Sequence, residues 1–433
     1  MHSRYRWFVV VVFFLFMLLH QADKLLIGPL TTPIMEEFGI NEVQMGTVFT
    51  GALIVGTLFY PLWGYLHDRF ARAKLLAVAS FIWGATTWIS ARAPSFGFFV
   101  ASRASTGIDD ASYPGLYSLV SDYFGPELRG KVYGLLQVAM PLGYLLGLIL
   151  AVVIGQALGW RNLFYFTGGI GILLAFVIWF GIKEAPRGCA EPELRDLEEI
   201  GVYRFSWRQA RQLFRKRSLL LLFVQGFFGV VPWNVLTYWA FRYLETERGY
   251  DTGQATMVMA ITVLVLASGY FVGGSLGDMA FKRTRRGRVY VSTFGIVMGA
   301  IFLFLAINVP LDNPTLFMVL LGITALFMPF AAPNGAATVH DIAAPEVRST
   351  ALAVQNFIEQ GGAAAAPLVA GLIAVRSSLQ TAILATCIGT WALCAFFYIL
   401  IARGLPKDIE DLRQLMRERS DVARQGRSPV AAD

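Results

Sequence analysis

Apolar residues gather along the chain into runs of about 18 to 25 positions separated by short charged breaks, the length an α-helix needs to cross about 30 Å of hydrocarbon. Reading runs against breaks predicts spans near 7–30, 43–64, 75–92, 96–121, 131–155 and 161–182, then near 219–243, 255–276, 289–308, 314–340, 349–375 and 379–402. Runs of that length cannot be globular core, so the expected fold is all-α, a polytopic membrane protein of twelve transmembrane helices. The first run follows Arg4 and Arg6 as a signal peptide would. No small-residue cleavage site comes after it, however, and it carries His20, Gln21, Asp23 and Lys24 before continuing apolar to Leu30.

Composition agrees with that pattern. The residues AVILMFWYC make up 56% of the 433 positions and DEKR 15%, and the mean hydropathy is +0.57, which leaves a soluble fold too little polar surface. The net charge of +7 sits mainly in one set of loops. It therefore reads as membrane orientation and not as a nucleic-acid partner. A polar stretch at 183–217 holds Lys183, Arg187, Arg195, Arg204, Arg208, Arg211, Arg215, Lys216 and Arg217 and reads as a cytoplasmic linker. Loops at 65–74, 122–131, 277–288 and 341–348 fall on the same side and carry most of the other basic clusters, while the opposite loops hold Glu36, Glu37 and Glu42. The positive-inside rule then puts both termini in the cytoplasm of a plasma membrane, or an inner membrane if bacterial. The expected parts are a six-helix bundle at 1–182, the linker at 183–217, a second bundle at 218–402 and a tail at 403–433. Leu405, Ile409, Leu412 and Met416 recur at helical spacing in the tail, as in a helix lying on the inner membrane surface, and disorder is expected beyond Arg424. Cys189, Cys387 and Cys394 show neither disulfide nor metal spacing and read as packing residues, so no metal is expected.

An internal repeat is visible within the chain. Pro114, Asp122 and Pro126-Glu127-Leu128-Arg129 recur 219 positions later as Pro333, Asp341 and Pro345-Glu346-Val347-Arg348, and Gly143 recurs as Gly362. Two pseudo-symmetric six-helix halves are implied, the arrangement of the major facilitator superfamily, which this chain resembles. The loop from Gly64 through Asp68, Arg69 and Arg72 resembles that superfamily's signature, with Ala71 where the family usually has glycine. Its functional reading is a cytoplasmic latch formed by Gly64, Asp68, Arg69, Arg72, Asp122 and Arg129; the bland reading is a solvated basic turn. Gly274 and Asp278 form a weaker copy in the second half.

Charges inside hydrocarbon cost about 2.5 to 3.5 kcal/mol each on insertion scales, so they mark site candidates. The fourth span contains Arg103, Asp109 and Asp110, and the first contains Asp23 and Lys24. Two helical turns separate Arg103 from Asp110, which puts them on one face and favours Asp110 over Asp109 for the cavity. Asp23 and Arg103 both lie about 10 Å below the outer end of their helices, so an ion pair is expected. Such a pair is a proton switch if the arginine can leave, and a static packing element if it cannot. Lys24 is expected to snorkel outward. Shifting Arg103 and Asp110 by the repeat lands on Gly322 and Pro329, so the coupling residues Asp23, Arg103 and Asp110 belong to the first half alone. Substrate-cavity candidates are His20 and Gln21, Asn234 and Tyr238 of a seventh span kinked by Pro232, and Gln355 and Glu359 of the eleventh. His340, at a helix end, reads as structural.

At these residues the chain resembles the spinster-like branch: Asp23-Lys24 with Gly28, Arg103 through Pro114, Ser121-Asp122-Tyr123-Phe124, Gly159-Trp160-Arg161, and Lys183 through Gly188. The family has arginine where Lys24 stands, asparagine at His20, and glycine then glutamate at Asp109 and Asp110. The resemblance implies Asp23 and Asp110 as protonatable groups with Arg103 as partner, and lysophospholipids or sphingoid phosphates as substrates. Pro141 follows Met140, so the Gly-Pro pair typical of drug/proton antiporters is missing. The expectation is a monomeric secondary transporter in a lipid bilayer, driven by a proton or sodium gradient and without a cofactor, moving a lipid-like or small organic solute. An organic-anion symporter, a drug exporter and a non-transporting sensor are the alternatives; no catalytic set or nucleotide-binding motif points to an enzyme.

Overall fold

A computed structural model of the protein describes residues 3–27, 30–40, 42–192, 211 and 213–424. Among the described residues the regular structure is all helical. Nine of these helices are long and apolar enough to cross a membrane. The remaining passes, at 42–69, 96–123 and 129–158, are helical too, so twelve follow one another as the apolar runs predict. An even number of passes brings the first and last described residues to one face, called here the linker face. The Tyr5 hydroxyl ties the first residues to the start of the linker there, donating to the Gly181 carbonyl and accepting from Lys183 N–H, both at 2.8 Å.

Three passes break where the sequence supplies a reason. The fourth runs as Phe96–Ser105, Gly107–Asp110 and Tyr113–Tyr123, with Pro114 at the start of the last piece, where its missing N–H costs nothing. Tightened bonds, Thr106 N to Arg103 O and Ser112 N to Asp109 O, close the two joints. The seventh breaks at Val230, before Pro232, as expected. The tenth tightens to a 3₁₀ turn at Met328–Phe330 around Pro329.

The tail departs from expectation. It is not a separate surface helix but the end of one 46-residue helix, Leu379–Arg424, that begins as the twelfth span. Leu405 and Ile409 join the core of the second half, and Met416 packs with Leu412 and Ala344. The stripe at helical spacing thus finds the protein's own linker face before it finds lipid. Residues past Arg424 and Arg195, Arg204 and Arg208 of the linker lie outside the described residues.

The halves meet along two seams. On one, Gly64 of the second span lies against the eleventh, where a Cβ would come 2.6 Å from the Ala353 Cβ. On the other, the fifth and eighth spans touch backbone to backbone: a Cβ on Gly274 would collide with the Gly130 carbonyl. Small residues allow this approach, and in lipid close packing is the main attraction between helices.

Candidate functional site

Within the first half, charged side chains from two spans form two adjoining clusters. Asp23 is buried and accepts from Thr167 Oγ1 at 2.5 Å, Thr87 Oγ1 at 3.0 Å and Arg103 Nη1 at 3.4 Å. The expected Asp23–Arg103 pair therefore forms, joined by two hydroxyls from the third and sixth spans. Arg103 also sits over the Phe164 ring, 5.1 Å from its centroid. One carboxylate thus ties four spans together.

The second cluster is built by the broken stretch of the fourth span. Lys24 Nζ lies 2.5 Å from Asp110 Oδ2, and its side chain is 44% exposed against 13% for Asp110. Lys24 therefore points to a partner and not outward to the interface. Asp110 is the accessible one of the two aspartates, as expected, since Asp109 is fully buried. Asp109 still has a neighbour: His20 Nε2 lies 2.6 Å from its Oδ2, and 3.7 Å from Asp110 Oδ1. His20 Nδ1 lies 2.6 Å from the Tyr113 hydroxyl. Read as a cavity residue from sequence, His20 is buried, stacked on Phe16 and edged by Trp83.

Across the halves, the buried Tyr60 of the second span lies within electrostatic reach of both Asp110 and Glu359. Glu359 accepts from Gln355 Nε2 at 2.7 Å, and its side chain lies against Gly226 of the seventh span. Asn234 spends its amide donor on the Val230 carbonyl of its own helix, at 2.9 Å. Gln21 is half-buried against Gly143. The Tyr238 side chain lies outside the described residues.

At the linker face the repeat makes a reciprocal lock. Asp68, between the second and third spans, accepts from Ser349 and Thr350 N–H at 3.0 and 2.7 Å, capping the eleventh span. Asp278, between the eighth and ninth, accepts from Gly130 and Lys131 N–H at 3.0 and 2.7 Å, capping the fifth. Each carboxylate meets the positive end of a helix in the other half. Arg129 then reaches Asp341 at 3.5 Å, and its repeat mate Arg348 reaches Asp122 at 3.6 Å. Arg72 stays within its own half, 2.5 Å from Asp122 and 2.7 Å from Glu184. Arg69 is exposed and bonds Tyr65 of its own helix, and among the described residues it makes no lock across the halves.

Glu191 closes the lock, and nothing in the sequence marked it. This linker carboxylate is buried and held by Arg129 at 2.6 Å, by Arg348, and by Arg413 of the tail at 2.6 Å. Burial alone pushes its pKa up; Arg129, Arg348 and Arg413 outweigh that and hold it well below the usual carboxylate range. Arg419 anchors the tail a turn and a half later on the buried Glu346.

Comparison with known proteins agrees with this geometry. The sequence profile of the Major Facilitator Superfamily matches residues 12–309 and 268–430. The chain is 29% identical over 385 residues to protein spinster of Drosophila melanogaster, covering 86% of this chain and 62% of that protein. It is 30% identical over 270 residues to the probable sulfoacetate transporter SauU of Cupriavidus necator, covering 60% of this chain and 62% of that one. The matches thus span 62% of the length of each of these two relatives. Among solved structures, a proton:xylose symporter of the same superfamily superposes with a TM-score of 0.71 at 18% identity, covering 92% of this chain and 96% of that one.

Proposed function

The chain belongs to the major facilitator superfamily, and on that footing we infer that it is a proton-coupled secondary transporter that carries a small organic anion by alternating access. The observation behind this reading is the Lys24–Asp110 pair, in which the more exposed partner is the cation. While Asp110 is ionised it occupies the ammonium. Protonation of Asp110 removes that competitor, and Lys24 is free to take a carboxylate or sulfonate from solution. One proton and one anionic group therefore enter together, which makes uptake steeper as external pH falls. Asp23 and Arg103 belong to the same unit: their knot fixes the helices that carry Lys24 and Asp110, and its opening accompanies the change of access.

The linker face is cytoplasmic by the distribution of Lys and Arg, so the reciprocal lock holds the transporter shut toward the cytoplasm. Opening inward requires Asp68 and Asp278 to leave their helix ends and Arg129 and Arg348 to part from the opposite half. The expected site of action is a plasma or inner membrane, with the protein working as a monomer and without a cofactor. Likeness to the probable sulfoacetate transporter supports an anionic substrate; an amphipathic, lipid-like solute, which the resemblance of the sequence to the spinster-like branch implies, is the second reading.

Purified protein in proteoliposomes tests both. Counterflow with sulfoacetate, a sugar acid, a neutral sugar and a lysophospholipid separates the substrate classes, and an imposed pH gradient tests coupling. Uptake of an acid that ignores the gradient, or that survives Asp110→Asn with its pH dependence intact, would remove the proposed role.

A further inference from the structure

His20 and Asp109 have no part in the exchange just described, and both depart from the family pattern that the rest of the first half resembles. Their placement is costly. Asp109 is fully buried, and neither of its oxygens receives a well-directed hydrogen bond, although His20 Nε2 stands 2.6 Å from one of them. A carboxylate in that position is stable as an anion only beside a positive charge. The groups facing the imidazole are Asp109, Asp110 and Tyr113 of the fourth span and Lys24 of its own, with Tyr60 of the second acting through Asp110. The third span presents Trp83, which does not titrate.

Charge accounting follows directly. With Lys24 positive and both aspartates negative, the cluster is neutral only when His20 is an imidazolium. Its Nε2–H then faces Asp109 and its Nδ1–H donates to the Tyr113 oxygen, the arrangement that uses both ring nitrogens. We propose that the His20–Asp109 pair is an internal proton store, loaded through Asp110 and returned to it when an anion takes Lys24. The return step moves one proton from Nε2 to Asp110 Oδ1, now 3.7 Å away. Asp110 becomes a neutral acid that no longer competes for Lys24, and the ring takes up a proton from the medium in the same step, so Asp109 keeps an imidazolium beside it. One anion and one proton from the medium thus leave the cluster neutral again. This inference rests on the proton-coupled reading above and adds a residue pair that the family pattern does not supply.

The test has two arms. In proteoliposomes with sulfoacetate as probe, His20→Gln removes the charge while keeping a polar side chain of similar reach. Accumulation driven by a pH gradient is expected to fall by about a hundredfold, the lower end of what a positioned proton carrier contributes, while counterflow of the same probe, which needs no net proton, stays near wild type. The double variant His20→Gln/Asp109→Asn, which leaves no unpaired buried charge, should recover any lost folding and counterflow but not accumulation. Wild-type accumulation in His20→Gln would overturn the proposal. The second arm needs no substrate: ¹⁵N spectra of histidine-labelled protein near neutral pH, with His20→Gln assigning the signal, should show both ring nitrogens of His20 protonated, and Asp109→Asn should convert the ring to a neutral tautomer. A neutral ring in the wild type, or one indifferent to Asp109→Asn, overturns the store. If the wild type accumulates no probe yet the spectra behave as expected, the transport reading fails and the charged pair stands.

Discussion

The fourth and tenth spans break at the same point of the repeat, and only one of them is charged there. Asp109, Asp110 and Ala111 in the first half correspond, 219 positions on, to Met328, Pro329 and Phe330, which form the 3₁₀ turn of the tenth span. Both halves therefore keep the interrupted helix, one with carboxylates and the other with a proline and apolar neighbours. At the linker face the opposite holds: Asp68 and Asp278, Arg129 and Arg348, Asp122 and Asp341 play matching parts in both halves. The difference teaches what duplication must keep and what it can lose. A lock between two halves needs a hand from each. On the proposed function a coupling charge is needed in one half only, and each further ionisable group in hydrocarbon costs about 2.5 to 3.5 kcal/mol by insertion scales.

The sharpest way to break this comparison is to neutralise one carboxylate on each side. Asp110→Asn should lower pH-driven accumulation by about a hundredfold or more, whereas Glu359→Gln, whose partner Gln355 is neutral, should leave gradient sensitivity intact in the same vesicle assay. Equal loss in both would place coupling chemistry in both halves. The lock should behave symmetrically instead. Arg129→Ala and Arg348→Ala each strip a buried carboxylate of a partner and should each shift the closed state by about 3 to 5 kcal/mol toward inward opening, read as labelling of cysteines placed at the linker face. Because both arginines hold Glu191, the double variant should fall short of the sum. A smaller effect, about 1 to 3 kcal/mol in the same direction, is expected of Gly64→Ala, whose methyl would meet the Ala353 Cβ at 2.6 Å.

Smallest of all should be the effect of pH on the lock itself. Arg129, Arg348 and Arg413 hold the Glu191 carboxyl well below the usual carboxylate range despite its burial, so its contribution is fully present above that range and is lost only as pH falls toward the depressed value. Labelling at the linker face should therefore stay flat between about pH 7 and 8 in substrate-free protein, where Glu191 is ionised and so is Asp68, whose burial pushes its pKa up to about 6. A change within that window would move pH sensing from the buried cluster to the lock.

The alternation of apolar runs and charged breaks carried the twelve passes, because crossing hydrocarbon imposes a length that soluble helices need not meet. The repeat carried the halves and four of the lock's residues, Asp122, Arg129, Asp341 and Arg348, since Asp and Pro-Glu-x-Arg recur at a fixed offset. Equal depth on two helices was enough to bring Asp23 and Arg103 together. His20 with Asp109 was illegible for a local reason: the helix breaks at Thr106 and again before Tyr113, so the angles of a continuous helix do not hold through that stretch. Lys24 reads as a snorkelling residue in sequence because its partner Asp110 lies 86 residues away. Glu191 stood as one acid among many in a polar stretch, and its three arginines come from 62, 157 and 222 positions off, a convergence that only the folded chain displays.

The glycine contact between the fifth and eighth spans bears on how such a molecule can move at all. Two bare backbones pressed together have no interdigitating teeth to lift out of register, so they can roll over one another like a plain bearing while the locks around them engage and release. Motion about that axle strains no rotamer, and its friction is set by the absence of side chains at Gly130 and Gly274. A methyl added at Gly130 or Gly274 would thus be felt at that axle, in residues remote from the buried charged clusters.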